Sequence, residues 1–149
     1  MRNWMSHDAL WLNHVAQRFG MEAANELNRR VCRAIGRVDA QRLAKALGVV
    51  RIEPMGDYLS FFQAGFALYA PSAIAVNMEV EGNIQRFHVS RCFAYEGIVK
   101  AGMAQVYECG IFERILGWLD ALGLRYTHDP PHWPVPHGSG PGVPPDDKA

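Results

Sequence analysis

The sequence predicts an α+β domain, mostly helical, with one small antiparallel sheet. Apolar residues recur at helical spacing from Met21 to Leu47, the longest periodic run in the chain. Apolar and polar residues alternate on either side of Glu81-Gly82-Asn83, the pattern of a β-hairpin over about 73–90. From His128 on, the composition changes: the last 22 residues hold seven of the nine prolines and three glycines. The expected organisation is therefore one globular domain over 1–127, followed by a Pro/Gly/His-rich tail over 128–149. The first part of that tail, up to Trp133, is expected to dock on the domain and the rest to be disordered.

Each element has a local reason. Trp4, Leu10, Trp11, Val15 and Phe19 fall at helical spacing, with Ser6 or Asp8 as caps and Gly20 just past the end. In the second helix Ala24, Leu27, Val31, Ile35 and Val38 form an apolar stripe, continued by Leu43 and Leu47, and Gly48 ends it. Gly36 costs about 1 kcal/mol there against alanine, which marks a close helix contact or a kink. Val49–Ile52 reads as a short strand, and the aromatic run Asp57–Leu68 as a buried short helix. After the hairpin, Phe93–Ala101 and Glu108–Leu122 read as helices stopped by Gly102 and Gly123, and Leu124–Thr127 as a returning strand. No internal repeat is evident.

Composition narrows the function classes. Fifteen Lys and Arg balance fifteen Asp and Glu, so no global field draws nucleic acid or acidic lipid. The basic side made by Arg29, Arg30, Arg33, Arg37, Arg42 and Lys45 reads as a solvated helix face. There is no signal-like apolar segment and no run of the roughly 20 apolar residues that a membrane helix needs. Three widely spaced cysteines make no disulfide framework, so the expectation is a cytoplasmic protein with reduced thiols. No nucleophile elbow, phosphate loop or dinucleotide fingerprint occurs.

The chemistry-bearing residues concentrate between Arg91 and Leu122. Cys92 follows a strand and Cys109 opens a helix in this reading. A thiolate needs a helix N-terminus, a basic neighbour or a metal to form near neutral pH. Either cysteine is thus a candidate nucleophile, with Glu96, Glu108 and His88 as acid–base or positioning groups. The competing reading makes both thiols small buried hydrophobes, and places Cys32 in the core. No cofactor is expected. Zinc is the weaker alternative: Cys92, Cys109 and His88 supply three ligands, and His128, His132 and His137 more, without paired C-x-x-C or H-x-x-x-H spacing. His7 and His14 belong to the polar side of the first helix. Gln63 and Ser60, inside the aromatic run, are the polar groups that a mostly apolar pocket uses.

Several motifs occur in a familiar order. Leu10–Ala24 reads L-W-x-x-x-V-x-x-R-F-G-M-E-A-A and leads into R-R-V-C-R-A-I-G-R-V-D-A-Q-R-L-A-K-A-L-G. A hairpin follows, then Cys92, the K-A-G step at Lys100–Gly102, and Y-E-C-G at Tyr107–Gly110. Over roughly residues 8–133 the chain resembles a poorly characterised bacterial and archaeal family related to the L-2-amino-thiazoline-4-carboxylic acid hydrolases. That resemblance implies a compact α+β domain whose cysteine-bearing segment acts on or binds a small molecule. Family members continue past a P-P-D-like step into a further cysteine; here the step is Pro130-Pro131-His132 and no cysteine follows, so only Cys92 and Cys109 carry over.

The expected function is hydrolysis of a C–N or C–S bond in a small heterocycle through a cysteine nucleophile. The alternatives are a non-catalytic small-molecule or cofactor-binding domain with an apolar pocket between hairpin and helices, and an interaction subunit that uses its Pro-rich tail. The expected partner is a small-molecule substrate or ligand, with no nucleic acid and no membrane; a homo-oligomer stays open.

Overall fold

The computed structural model describes residues 2–52, 55–69 and 74–129, with side chains from Ser6 on. The expectations for the tail over 130–149, Trp133 included, fall outside the described residues, as does the side chain of Trp4. The elements run α1 (Arg2–Phe19), α2 (Met21–Leu47), α3 (Met55–Tyr69), β1 (Ile74–Glu81), β2 (Ile84–Cys92), α4 (Phe93–Lys100) and α5 (Ile111–Ala121). This is the α+β, mostly helical single domain that the periodicities indicate.

α2 is the spine, and it ends on Gly48 in the left-handed region (φ 66°), where its N–H closes onto the last turn. Of the expected core stripe, Ala24 and Leu43 are buried, but the ridge Leu27, Val31 and Ile35 is not. The structure leaves these three 38%, 56% and 39% exposed. α2 buries Ala24, Asn25, Gly36, Asp39, Ala40 and Leu43. The reason is the way α5 crosses it. A Cβ on Gly36 would stand 2.1 Å from the Arg114 carbonyl oxygen, and one on Gly117 would stand 2.3 Å from the Arg33 carbonyl oxygen. The two backbones meet at glycine, so the contact forms on the glycine side rather than on the most apolar one.

The crossing is reciprocal. Arg33-Ala-Ile-Gly36-Arg-Val-Asp39 and Arg114-Ile-Leu-Gly117-Trp-Leu-Asp120 share the pattern R-x-x-G-x-x-D. Each glycine packs on the backbone at the other helix's arginine, and each arginine reaches the other helix's aspartate. Arg33 Nε and Nη2 donate to the two carboxylate oxygens of Asp120 at 2.8 and 3.0 Å. Arg114 Nε donates to Asp39 at 2.8 Å. The chain thus contains a short internal repeat after all, seven residues long and matched at three positions, too brief to stand out as sequence periodicity.

Two apolar clusters flank this crossing. The larger gathers Leu43, Ile52, Tyr58, Phe61 and Phe62 around Trp118. Gly65 lets α3 approach the Trp118 ring, since a Cβ there would lie 2.1 Å from the indole. The smaller joins Leu12 of α1, Ala24 of α2 and Ile98 of α4. Several expectations change. Val49–Ile52 and Leu124–Thr127 form no strands; Ile52 reaches the core from irregular chain. α1 begins at Arg2, so Ser6 and Asp8 are interior to it and cap nothing. The last helix starts at Ile111, which leaves Glu108, Cys109 and Gly110 in the preceding loop.

β1 and β2 pair antiparallel around Gly82 (φ 58°). Val76, Met78, Gln85, Phe87 and Val89 make the half-buried face. Pairing jumps from Val76–Val89 to Ala75–Arg91, leaving Ser90 as a bulge. One extra residue reverses the alternation of sides, so Cys92 returns to the half-buried face while His88 stays exposed opposite Asn77.

Candidate functional site

The three cysteines come from different elements, and folding brings Cys32 of the second helix against the loop that carries Cys109. Cys32 lies mid-α2, Cys92 ends β2 as the N-cap of α4, and Cys109 is buried in the loop before α5. A Cβ on Gly110 would lie 2.8 Å from Cys32 Sγ, which places α2 against the residue next to Cys109. Tyr107 is largely buried beside this loop, and burial above all, with the Cys109 and Cys32 thiols adding to it, raises its hydroxyl above the ordinary tyrosine range. A hydrogen-bonded chain links Cys32 to Cys109. Cys32 Sγ–H donates to Asn28 Oδ1 at 3.7 Å, the Asn28 amide donates to the Tyr107 hydroxyl, and that hydroxyl donates to Cys109. The Ile111 N–H also points at Cys109.

Asn25 fixes the loop that carries Cys109. It is 2% exposed, donates to the Val106 carbonyl at 2.8 Å and accepts from the Glu108 N–H at 3.0 Å. Burial dominates the acid–base character here. It pushes the Cys109 thiol up to about 11, against the hydrogen bonds from Ile111 and Tyr107. Burial likewise raises Cys32 to about 11, with the Arg114 charge opposing it. Both thiols are therefore protonated at neutral pH.

Of the two candidate thiols, Cys109 is buried beside Cys32, which the sequence reading placed in the core, and Cys92 is half-buried at the N-cap of α4. The other candidates are dispersed or engaged. His88 points away from Cys92 on the outer hairpin face. Glu96 pairs with Arg91 at 3.2 Å on the surface, and Glu108 pairs with Arg29. Among the described residues no group of three His, Cys, Asp or Glu side chains is placed to hold a metal ion. Cys32 carries no signal in sequence, because it lies far along the chain from Cys109 and only folding brings it to that loop.

Two clefts complete the inventory. A polar one of about 500 Å³ is lined by Glu26, Arg29, Arg30, Arg33, Arg37 and Glu113. Arg30 and Arg37 lie on the solvated face that sequence suggests, whereas Arg29 and Arg33 are half-buried. Arg29, Arg30, Arg33 and Arg37 face Glu108, Glu26, Glu113 and Asp120 respectively, with Arg33 and Arg37 both reaching Asp120. Arg33 also meets the Tyr126 hydroxyl. Four positive charges meet four negative ones, so this cleft is a structural seam between α2 and α5. The Arg33 hydrogen bonds, opposed by partial burial and reinforced by Arg37 and Tyr126, hold Asp120 down to about 2.

The second cleft, about 200 Å³, lies between α3 and the hairpin. Phe62, Phe66 and Ala67 of α3 and Val76, Met78 and Phe87 of the hairpin line it, with Gln63 as its polar member. Phe62 and Phe87 meet at a 5.4 Å ring distance, and Gln85 spans Tyr58 (3.0 Å) and Met78 Sδ. Ser60 is not part of it: its hydroxyl donates back to the Gly56 carbonyl within α3.

A helical domain with a β-hairpin, a small apolar cleft and a separate buried Cys32–Cys109 neighbourhood is the class these features define. The chain belongs to DUF6125, a family of unknown function, which matches residues 1–113. That match spans all three cysteines and Asn25 and ends just before Arg114. It carries no link to the amino-thiazoline-carboxylic acid hydrolases. No curated protein and no solved structure matches the chain. No helix among the described residues is long and apolar enough to cross a membrane.

Proposed function

We propose that the protein binds a compact, mostly apolar small molecule in the cleft between α3 and the hairpin. The observation that carries this reading is the wall itself: three phenylalanines, Met78 and Val76 around a space with a single polar contributor, Gln63. Ligand sites combine an apolar lining with a few polar groups that fix orientation. At about 200 Å³ the space suits one aromatic ring or a short alkyl chain bearing a group that the Gln63 amide can meet. The test is calorimetric titration with indole, a single-ring probe with one N–H donor. Saturable binding in wild type that is lost in Ala67→Trp, with the melting temperature of the variant retained, supports the reading. Ala67 is exposed at the cleft wall, so filling it leaves the core intact. Absence of saturable heat in the wild type, or equal binding in the variant, excludes it.

The hydrolase reading rests on Cys92, a half-buried cysteine at the N-cap of α4. Its check is alkylation at pH 6 to 7: Cys92 must react much faster than a free cysteine analogue. Equal slow labelling of all three thiols removes this reading.

A further inference from the structure

We infer that the cleft between α3 and the hairpin takes a neutral aromatic carboxamide, its ring seated between the two walls and its amide paired with that of Gln63. The inference rests on the binding reading above and names the chemical class of its ligand. Size comes first. A dry apolar cavity of about 150 Å³ holds one benzene, so a space of about 200 Å³ accommodates a single ring with one small substituent. Shape comes next. Phe62 and Phe66 of the α3 wall lie nearly parallel, 21° apart with ring centroids at 6.0 Å. Met78 and Phe87 belong to the hairpin wall. Ring faces and a thioether reward a flat aromatic guest over a flexible alkyl chain, through stacking and sulfur–ring contacts.

Polarity decides the substituent. No charged side chain lines the cleft, so an ionised group that enters it meets no counter-charge. The Gln85 amide, next to Met78, is already engaged: its oxygen accepts from the Tyr58 hydroxyl and its nitrogen donates to Met78 Sδ. Gln63 makes no hydrogen bond among the described residues. Its exposed side chain thus offers one carbonyl acceptor and two N–H donors at the cleft. A carboxamide carries the same set and pairs with it reciprocally. A carboxylate offers acceptors only, and a ring N–H a donor only.

The experiment titrates the full chain at pH 7 with benzamide, benzoate, toluene and hexanamide, a flexible amide of similar size, and reads affinity by protein-observed NMR. Benzamide should saturate and bind at least several-fold more tightly than benzoate or hexanamide. Gln63→Leu, at an exposed position, should weaken benzamide about fivefold, the worth of one ordinary hydrogen bond, and leave toluene no weaker. Benzoate or hexanamide bound as tightly as benzamide, or benzamide indifferent to Gln63→Leu, overturns this assignment of ligand class while the cleft reading stands. No saturable binding by any of the four, or binding retained in Ala67→Trp, overturns both.

Discussion

Gly36 decides how α2 meets α5, and its replacement makes a sharp test. Helix propensity alone says that Gly36→Ala stabilises by about 1 kcal/mol. The neighbouring carbonyl says otherwise, because the new methyl carbon would lie 2.1 Å from backbone oxygen that no rotamer change can move. Overpacking of this kind costs typically 1–3 kcal/mol, more where backbone must yield. Packing wins: Gly36→Ala should lower the melting temperature by roughly 5–10 °C, a few degrees per kcal/mol at this chain length. The control is Gly97→Ala on the open side of α4, where nothing lies within 4 Å. That change should leave the melting temperature equal or slightly higher. If both substitutions behave alike in a thermal scan, the close crossing is wrong.

At the scale of elements, the α2–α5 pair is a seam of two opposed R-x-x-G-x-x-D segments, and its two ion pairs differ in burial. Asp39 is 4% exposed, so removing it alone leaves Arg114 uncompensated. Breaking a buried pair costs about 3–5 kcal/mol, whereas replacing both partners by apolar residues is often neutral. Asp39→Ala should therefore be severely destabilising, and Asp39→Leu with Arg114→Met should recover most of the loss in urea melts. The Arg33–Asp120 pair makes the pH prediction. Asp120 titrates at about 2 in the folded chain and near 3.9 when unfolded. Its contribution is complete above pH ~5 and fades as pH falls through the range towards 2, because the unfolded state binds the proton first. Asp120→Asn should flatten that part of the stability–pH curve, measured by thermal melts from pH 5 to pH 2. An unchanged slope would show that the seam is not coupled to this carboxyl.

For the whole molecule, hydropathy made the element order readable and hid how the elements face each other. The length of α2, the hairpin and the glycine stops follow from local pattern. The buried side of α2 does not, since Gly36, Asp39 and Asn25 count as weak or polar in any apolar periodicity while the Leu27–Val31–Ile35 ridge counts as core. The crossing is chosen by missing side chains and by charge reciprocity between segments about 80 residues apart. The neighbourhood of Cys109 escaped for a related reason: Cys32 reaches its loop only through the fold. Asn25 connects these levels. As a residue it satisfies a buried carbonyl and a buried N–H of the 106–108 loop; as part of α2 it ties that loop to the spine; for the molecule it keeps Cys109 shut away. Asn25→Ala leaves two buried backbone groups unpaired, at about 1–3 kcal/mol each for a stranded partner. That strain falls on the loop more than on the α2–α5 seam, which it does not touch. The expected result is a marked rise in the alkylation rate of Cys109 by iodoacetamide at pH 8, with the global melt lowered but still cooperative. A variant that melts earlier while Cys109 stays as slow as in wild type would show that packing around Tyr107, rather than the Asn25 clip, holds the thiol closed.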